Sequence, residues 1–299
     1  MKICFVSQHK YWGGIQNNGG SKTIIRSAET LKELGHKVVI WTHTNKYTWH
    51  KPKVKITPHL KGTKKFDAAI AVSVSDIDIV NTYFGLKVNK FWWARGIEKW
   101  QMPKNKIVKK ARKIKVIVNA THLLKHFPKA KVCYAGLDLD WWKNYGIACY
   151  IKDKATFGCL YSKRHKTKRY DLFKKIQKPM SDKMHAEFKK LNGHLNDKQL
   201  RQFYNQCDIW FAPTELEGFH NVPAEACLCG CLVVCNRRDS NGMGDYATED
   251  TAMRYTGYDE LLEAIENPDF SKIPKMQKLL REKIGSREKN MKRFVELIK

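Results

Sequence analysis

The sequence predicts an α/β protein with parallel sheets, and three observations lead there. Apolar runs of strand length, such as Ile3–Ser7, Lys37–Thr42 and Ile209–Ala212, alternate with amphipathic stretches of helix length. Glycine turns fall where strands feed into helices, at 13–20 and at 218. The 299 residues, 42% hydrophobic with 12 Tyr, 13 Phe and 9 Trp, describe a globular chain of one large or two modest domains.

In chain order, Ile3–Ser7 is a first buried strand and Gly13 to Gly20 a loop. A helix over about 21–34 places Ile24, Ile25, Ala28, Leu31 and Leu34 on one side, with Gly35 as its C-terminal cap. Lys37–Thr42 is the second strand, so the opening reads as a Rossmann-type β–loop–α–β unit. Phe66 to Val74 and Val88 to Trp93 are further strands. The loop after them holds Arg95 and Glu98, which read either as a local ion pair or as ligand contacts at the carboxyl edge of the sheet. Lys104 to Lys115 is a helix with seven basic residues, no acid, and an apolar face of Ile107, Val108, Ala111 and Ile114. A strand over 114–119, a short helix over 121–127 and a strand over 131–134 close this half.

The second half opens with a strand over 155–160 and a cationic loop of Lys163, Arg164, His165, Lys166, Lys168 and Arg169. No apolar strand is expected between Gln177 and Leu200; Asn196 caps a helix carrying Leu200, Phe203 and Tyr204 inward. Strand Ile209–Ala212 leads to Glu217-Gly218-Phe219-His220-Asn221-Val222-Pro223-Ala224-Glu225. Pro223 suits the first helical position, and Glu225 then falls in the first turn, at the positive end of the dipole. Backbone N–H groups there suit an anionic ligand, and the carboxylates of Glu217 and Glu225 accept hydrogen bonds from hydroxyls. A ligand that is part phosphate and part polyol, such as a nucleotide-sugar, meets both requirements. A glycine-containing loop over 236–246, a helix over 258–265 and a long basic helical tail over 272–299 follow.

The 217–234 segment resembles the E-x7-E signature of retaining GT-B glycosyltransferases of the family 4 type, EGFG-x-P-x-x-EA-x-A-x-G-x-PVV. His220 stands where that pattern has Gly, and Leu232 where it has Pro. Gly19-Gly20 resembles the family's first glycine turn, Gly35-His36-Lys37-Val38 its GHEV strand entry, and Ala135-Gly136-Leu137-Asp138 its N-G-V-D. The strand ending in G-R-L has Cys159 at the Arg position. The resemblance implies a GT-B fold, two Rossmann-like domains facing across a cleft, the second shortened. The expected domains are 1–145, on the acceptor side, and 146–299, binding the nucleotide-sugar and ending in a basic helix that crosses back to brace the first. It also implies sugar transfer from a nucleotide-diphosphate sugar with retained configuration, requiring no metal and no cofactor. Glu217 would bind donor sugar hydroxyls and Glu225 the ribose. Gly218, Phe219, His220, Asn221, Gly19 and Gly20 would contact the donor. Arg164 and Lys168 would stabilise the departing diphosphate, with Arg95 and Glu98 on the acceptor side.

Charge bears on the acceptor. Lys and Arg number 56 against 29 acids, a net +27, which fits solvated faces or a polyanionic partner such as DNA or an anionic membrane surface. No run reaches the length of a membrane span and the first residues read as a strand, so the expected location is cytoplasmic, peripheral to a membrane or associated with nucleic acid. The alternative function is a non-catalytic nucleic-acid-binding protein on a degenerate GT-B scaffold. Cys227, Cys229, Cys231 and Cys235 lack paired C-x-x-C spacing and read as core thiols; Trp92-Trp93 and Trp141-Trp142 read as packing.

Overall fold

The computed structural model describes residues 1–11, 13–146, 155–161, 166–192, 195–237 and 241–299. The chain divides into two compact units, Met1–Gly136 with Ser286–Lys299, and Leu137–Gly285. The sequence placed one boundary at 145/146; the contacts divide the chain at 136/137 and again at 285/286. Gly136 shows why the last helix joins the first unit. Its φ is +72°, and a Cβ there would stand 2.5 Å from Arg287 Cα, so the two backbones meet with no room for a side chain.

The first unit contains β1 (Lys2–Ser7), α1 (Gly19–Glu33), β2 (Lys37–Thr42), β3 (Lys55–Thr57), β4 (Ala68–Ala71), α2 (Ile77–Tyr83), β5 (Asn89–Ala94), α3 (Lys104–Ala111), β6 (Lys115–Val118) and β7 (Lys131–Val132). They form a parallel sheet in the order β3-β2-β1-β4-β5-β6-β7. Strand β1 is buried on both faces, which is why it reads as a continuous apolar run. Ile3 and Phe5 pack on one side with Ile24, Ile25 and Leu31 of α1, whereas Cys4 and Val6 pack on the other with Ile77 and Val80 of α2. The α3 helix is shorter than expected, ending at Ala111, because the chain must turn to enter β6 at Lys115.

The second unit contains β8 (Thr156–Leu160), α4 (Tyr170–Met184), β9 (Glu187–Leu191), α5 (Asp197–Tyr204), β10 (Ile209–Ala212), α6 (Asn221–Leu228), β11 (Leu232–Asn236), β12 (Met253–Tyr255), α7 (Tyr258–Glu266) and α8 (Lys272–Leu279). Its parallel sheet runs β9-β8-β10-β11-β12. Strand β9 corrects the expectation of no strand between Gln177 and Leu200. It is an edge strand, Glu-Phe-Lys-Lys-Leu, and an edge tolerates the lysines that hide it from an apolar-run search. The expected tail helix is also two helices. After α8 a π turn over Leu280–Ile284 ends at Gly285, φ +78°, and α9 (Arg287–Ile298) restarts with Ser286 accepting from the Lys289 N–H. Phe294 of α9 packs 6.3 Å from Phe5 and 5.0 Å from Trp93, centroid to centroid, and is fully buried. Burial of such a side chain is worth about 1.5–3 kcal/mol.

Candidate functional site

In the second unit the strand order places β8 between β9 and β10, so the chain leaves β8 one way and returns on its other side. Open α/β sheets bind ligands at such a switch point, beyond the carboxyl ends of the strands. The loops leaving β8 and β10 there are stitched together three times. The Glu215 N–H donates to the Thr167 carbonyl at 2.8 Å. Arg169 Nη1 donates to Glu215 Oε1 at 2.6 Å, and Lys168 Nζ donates to Glu217 Oε2. Lys168 and Glu217, given separate roles from the sequence, are thus brought into contact, with side chains 16% and 31% exposed.

Arg169 belongs to this site although the sequence reading gave it no role. It precedes α4 in the left-handed region, φ 49°, and its Nε and Nη2 also bind Asp171. A non-glycine residue in that region costs roughly 1–2 kcal/mol, and the two carboxylates that raise the Arg169 pKa hold it there. Cys159, at the family's Arg position, is buried in β8 facing the core, so it supplies no cation. Burial pushes its thiol pKa far up. Arg164 lies outside the described residues.

The 213–220 loop is braced from the last residue of β11 and from residues 241–246. Asn236 Nδ2 donates to the Pro213 and Thr214 carbonyls, and Asn241 Nδ2 to Thr214 at 2.7 Å. The Gly242 N–H donates to the Gly218 carbonyl, and Tyr246 Oη to the His220 carbonyl at 2.5 Å. Asn236, Asn241, Gly242 and Tyr246 therefore brace the loop.

The loop ends at His220, the N-cap of α6, which makes no side-chain capping bond. The helix starts two residues earlier than expected. Pro223 is its third residue, still among the first four whose N–H has no intrahelical acceptor, so proline is tolerated. Glu225 accordingly lies beyond the first turn. It is 6% exposed, and Tyr204 Oη of α5 donates to its Oε2 at 3.4 Å. The Gly218, Phe219 and Asn221 positions follow Glu217 around the same bend.

The first unit has its own switch point, between β1 and β4. Here the structure joins two features that the sequence left separate. Gly19 and Gly20 are the first residues of α1, not the end of a loop, with Asn18 capping them by accepting from the Ser21 N–H at 2.8 Å. Arg95 Nη1 donates to the Gly20 carbonyl at 2.6 Å and Nη2 to the Val72 carbonyl at 2.9 Å. A Cβ on Gly20 would sit 3.0 Å from that Nη1, so the glycine makes room for the guanidinium. Arg95 and Glu98 spend their bonds on backbone instead of on each other: Glu98 Oε2 accepts from the Val74 N–H at 2.6 Å. Burial raises the Glu98 pKa to about 7 against the Val74 bond and the Arg95 charge. Asp76, not singled out from sequence, is wholly buried and accepts from the Gln8 and His9 N–H groups and from Ser73 Oγ.

The other readings resolve as packing. Trp92, Trp93 and Trp142 are buried, and Trp141 lies 3.9 Å from the Arg201 guanidinium carbon. Cys227, Cys229, Cys231 and Cys235 are buried thiols, and among the described residues no group of three or more His, Cys, Asp or Glu is placed to hold a metal ion. No helix among them is long and apolar enough to cross a membrane.

The sequence model of the family described as "Glycosyl transferases group 1" matches residues 105–266. A comparison with curated proteins gives no match. Among solved structures, Anabaena HepE in complex with UDP is similar at 14% identity and TM-score 0.72, covering 99% of both chains. Sucrose-phosphate synthase from Thermosynechococcus elongatus is similar at 12% identity and TM-score 0.70, over 99% of this chain and 98% of that one. A glycosyltransferase from Rickettsia africae reaches TM-score 0.64 at 11% identity, over 99% and 97%. The two parallel α/β units are those of the GT-B fold.

Proposed function

The chain belongs to the glycosyl transferases group 1 family and is a glycosyltransferase; on that premise we propose that its donor is a nucleotide-diphosphate sugar bound at the second unit's switch point. The observation that carries this is the Lys168–Glu217 contact beside the start of α6. One cation, one carboxylate and a row of helix N-terminal amides suit a ligand that is phosphate at one end and polyol at the other. The structural relatives support it, since HepE is seen with UDP and with UDP-glucose.

In this reading Glu217 takes donor sugar hydroxyls and Glu225, oriented by Tyr204, takes the ribose. The amides of Gly218 to Asn221 contact sugar and phosphate, and Lys168 moves from Glu217 to the leaving diphosphate. Arg164 adds a second cation. Charge gathering on the leaving group as the glycosidic bond breaks is what those cations stabilise. The chemistry needs no metal or other cofactor, and the anomeric configuration is retained, as the E-x7-E resemblance implies. Arg95 and Glu98 shape the acceptor side of the first unit. The net charge of +27 and the exposed lysines 104, 106 and 109 of α3 support an anionic acceptor, DNA or a glycan-lipid at an anionic surface. The family match weighs against the non-catalytic nucleic-acid-binding alternative.

The test is thermal shift with UDP, GDP, ADP, CDP and their sugar conjugates, beside Glu225→Ala. Ligand at about 100 times its Kd adds roughly 2.7 kcal/mol. A shift with one nucleotide family, absent in the variant, is expected; no shift with any overturns the donor site. Salt-sensitive retention on DNA, compared with anionic vesicles, separates the two acceptors.

A further inference from the structure

His220 is the one residue of the 217–225 segment that replaces a glycine of the family pattern with a functional side chain. It is 4% exposed, and neither Nδ1 nor Nε2 has a hydrogen-bond partner. A buried polar atom left unpaired costs about 1–3 kcal/mol, and this ring has two. Its backbone is pinned by Tyr246, and it lies within electrostatic reach of Lys168 and Glu217, the charged pair of the site. Burial, with Lys168 adding to it and Glu217 opposing, pushes the imidazole pKa down to about 3. The ring is therefore neutral at working pH, with one N–H to give and one lone pair to receive.

A phosphate has no proton to give to that lone pair, and Lys168 with the α6 amides already offers it donors. A hydroxyl both donates and accepts, and a sugar ring is dense in hydroxyls. An ionised carboxylate on the sugar would, like the phosphate, have no proton to give to that lone pair, and it would meet the like charge of Glu217. We propose that His220 reads hydroxyl groups of the transferred sugar as an uncharged donor and acceptor, selecting a neutral hexose over a hexuronic acid. This deepens the donor reading above and rests on it.

The experiment is calorimetric titration of the full chain with UDP, UDP-glucose and UDP-glucuronic acid. The variants are His220→Phe, which keeps a ring and removes both nitrogens, and His220→Asn, which keeps a neutral donor and acceptor and suits an N-cap. The expected result is a loss of about tenfold in UDP-glucose affinity for His220→Phe, the size of one to two hydrogen bonds. UDP affinity should stay within about twofold, His220→Asn should fall between, and the unaltered protein should prefer UDP-glucose to UDP-glucuronic acid. If His220→Phe fails to fold, the Asn variant carries the same comparison at smaller amplitude. Equal losses for UDP and UDP-glucose, or none for either, would overturn the proposal while leaving the donor site standing. Failure of the unaltered protein to bind any of the three would overturn both readings for a uridine donor.

Discussion

The two switch points of this chain use charge in opposite ways. In the first unit Asp76, Glu98 and Arg95 are bonded mainly to backbone, tying the ends of β1, β4 and β5 to the start of α1. In the second, Lys168, Arg169, Glu215 and Glu217 are bonded to one another and partly exposed. A carboxylate that holds peptide N–H groups in the interior cannot be lent to a ligand without loosening the fold. A partly solvated ion pair can exchange partners at small cost, because exposed pairs are worth only about 0–1 kcal/mol. The first arrangement is a scaffold, and the second is built for exchange.

That contrast can be broken first at Glu217. Replacing it with Gln should lower the initial rate of sugar transfer about a hundred- to a thousand-fold, as loss of a transition-state contact does, with little change in urea midpoint. A rate within a few-fold of the unaltered enzyme would make the second site scaffold as well. Arg95→Leu should act the other way, removing two charge-assisted bonds and costing about 2–3 kcal/mol of stability, measured by urea unfolding. If stability holds and only transfer falls, the first unit's charges are ligand contacts. Lys168→Met should weaken binding of the nucleotide-sugar about tenfold, roughly 1.4 kcal/mol, and flatten its salt dependence in calorimetry; unchanged affinity would place the diphosphate elsewhere.

The smallest effect concerns pH. Glu98 titrates near 7 in the folded chain against 4.5 for the unperturbed carboxyl. Between those values the folded state holds the proton and the unfolded state releases it, so stability falls as pH rises from about 4.5 to 7 and levels off above. Glu98→Gln should remove that part of the slope. Melting temperatures at pH 5 and pH 7.5 check it: the variant should gain relative to the unaltered protein at the higher pH, and equal slopes would mean that Glu98 is ionised throughout.

What the sequence revealed was what is local. Glu217, Gly218 and Glu225 sit in one continuous strand–loop–helix stretch, where spacing alone places them. The Arg95–Gly20 contact spans 75 residues and depends on which strands become neighbours, which no short window contains. Asp76 was missed for the same reason, since its partners Gln8 and His9 arrive on the other side of the switch point. Strand β9 was hidden because its edge position relaxes the demand for apolar residues. The start of α6 was misplaced because His220 caps it without a side-chain bond, so the only legible signal was Pro223. The break in the tail was legible and overlooked: Gly285-Ser286 is a helix stop followed by a helix start.

The return of α9 to the first unit reverses an expectation about synthesis. The second unit is a single uninterrupted stretch, 137–285, whereas the first is completed only by 286–299. Domains emerging from the ribosome usually fold in order, amino-terminal first. Here every residue of the second unit leaves before Phe294 reaches its place beside Phe5 and Trp93. The half that is encoded later is therefore the first that can be finished.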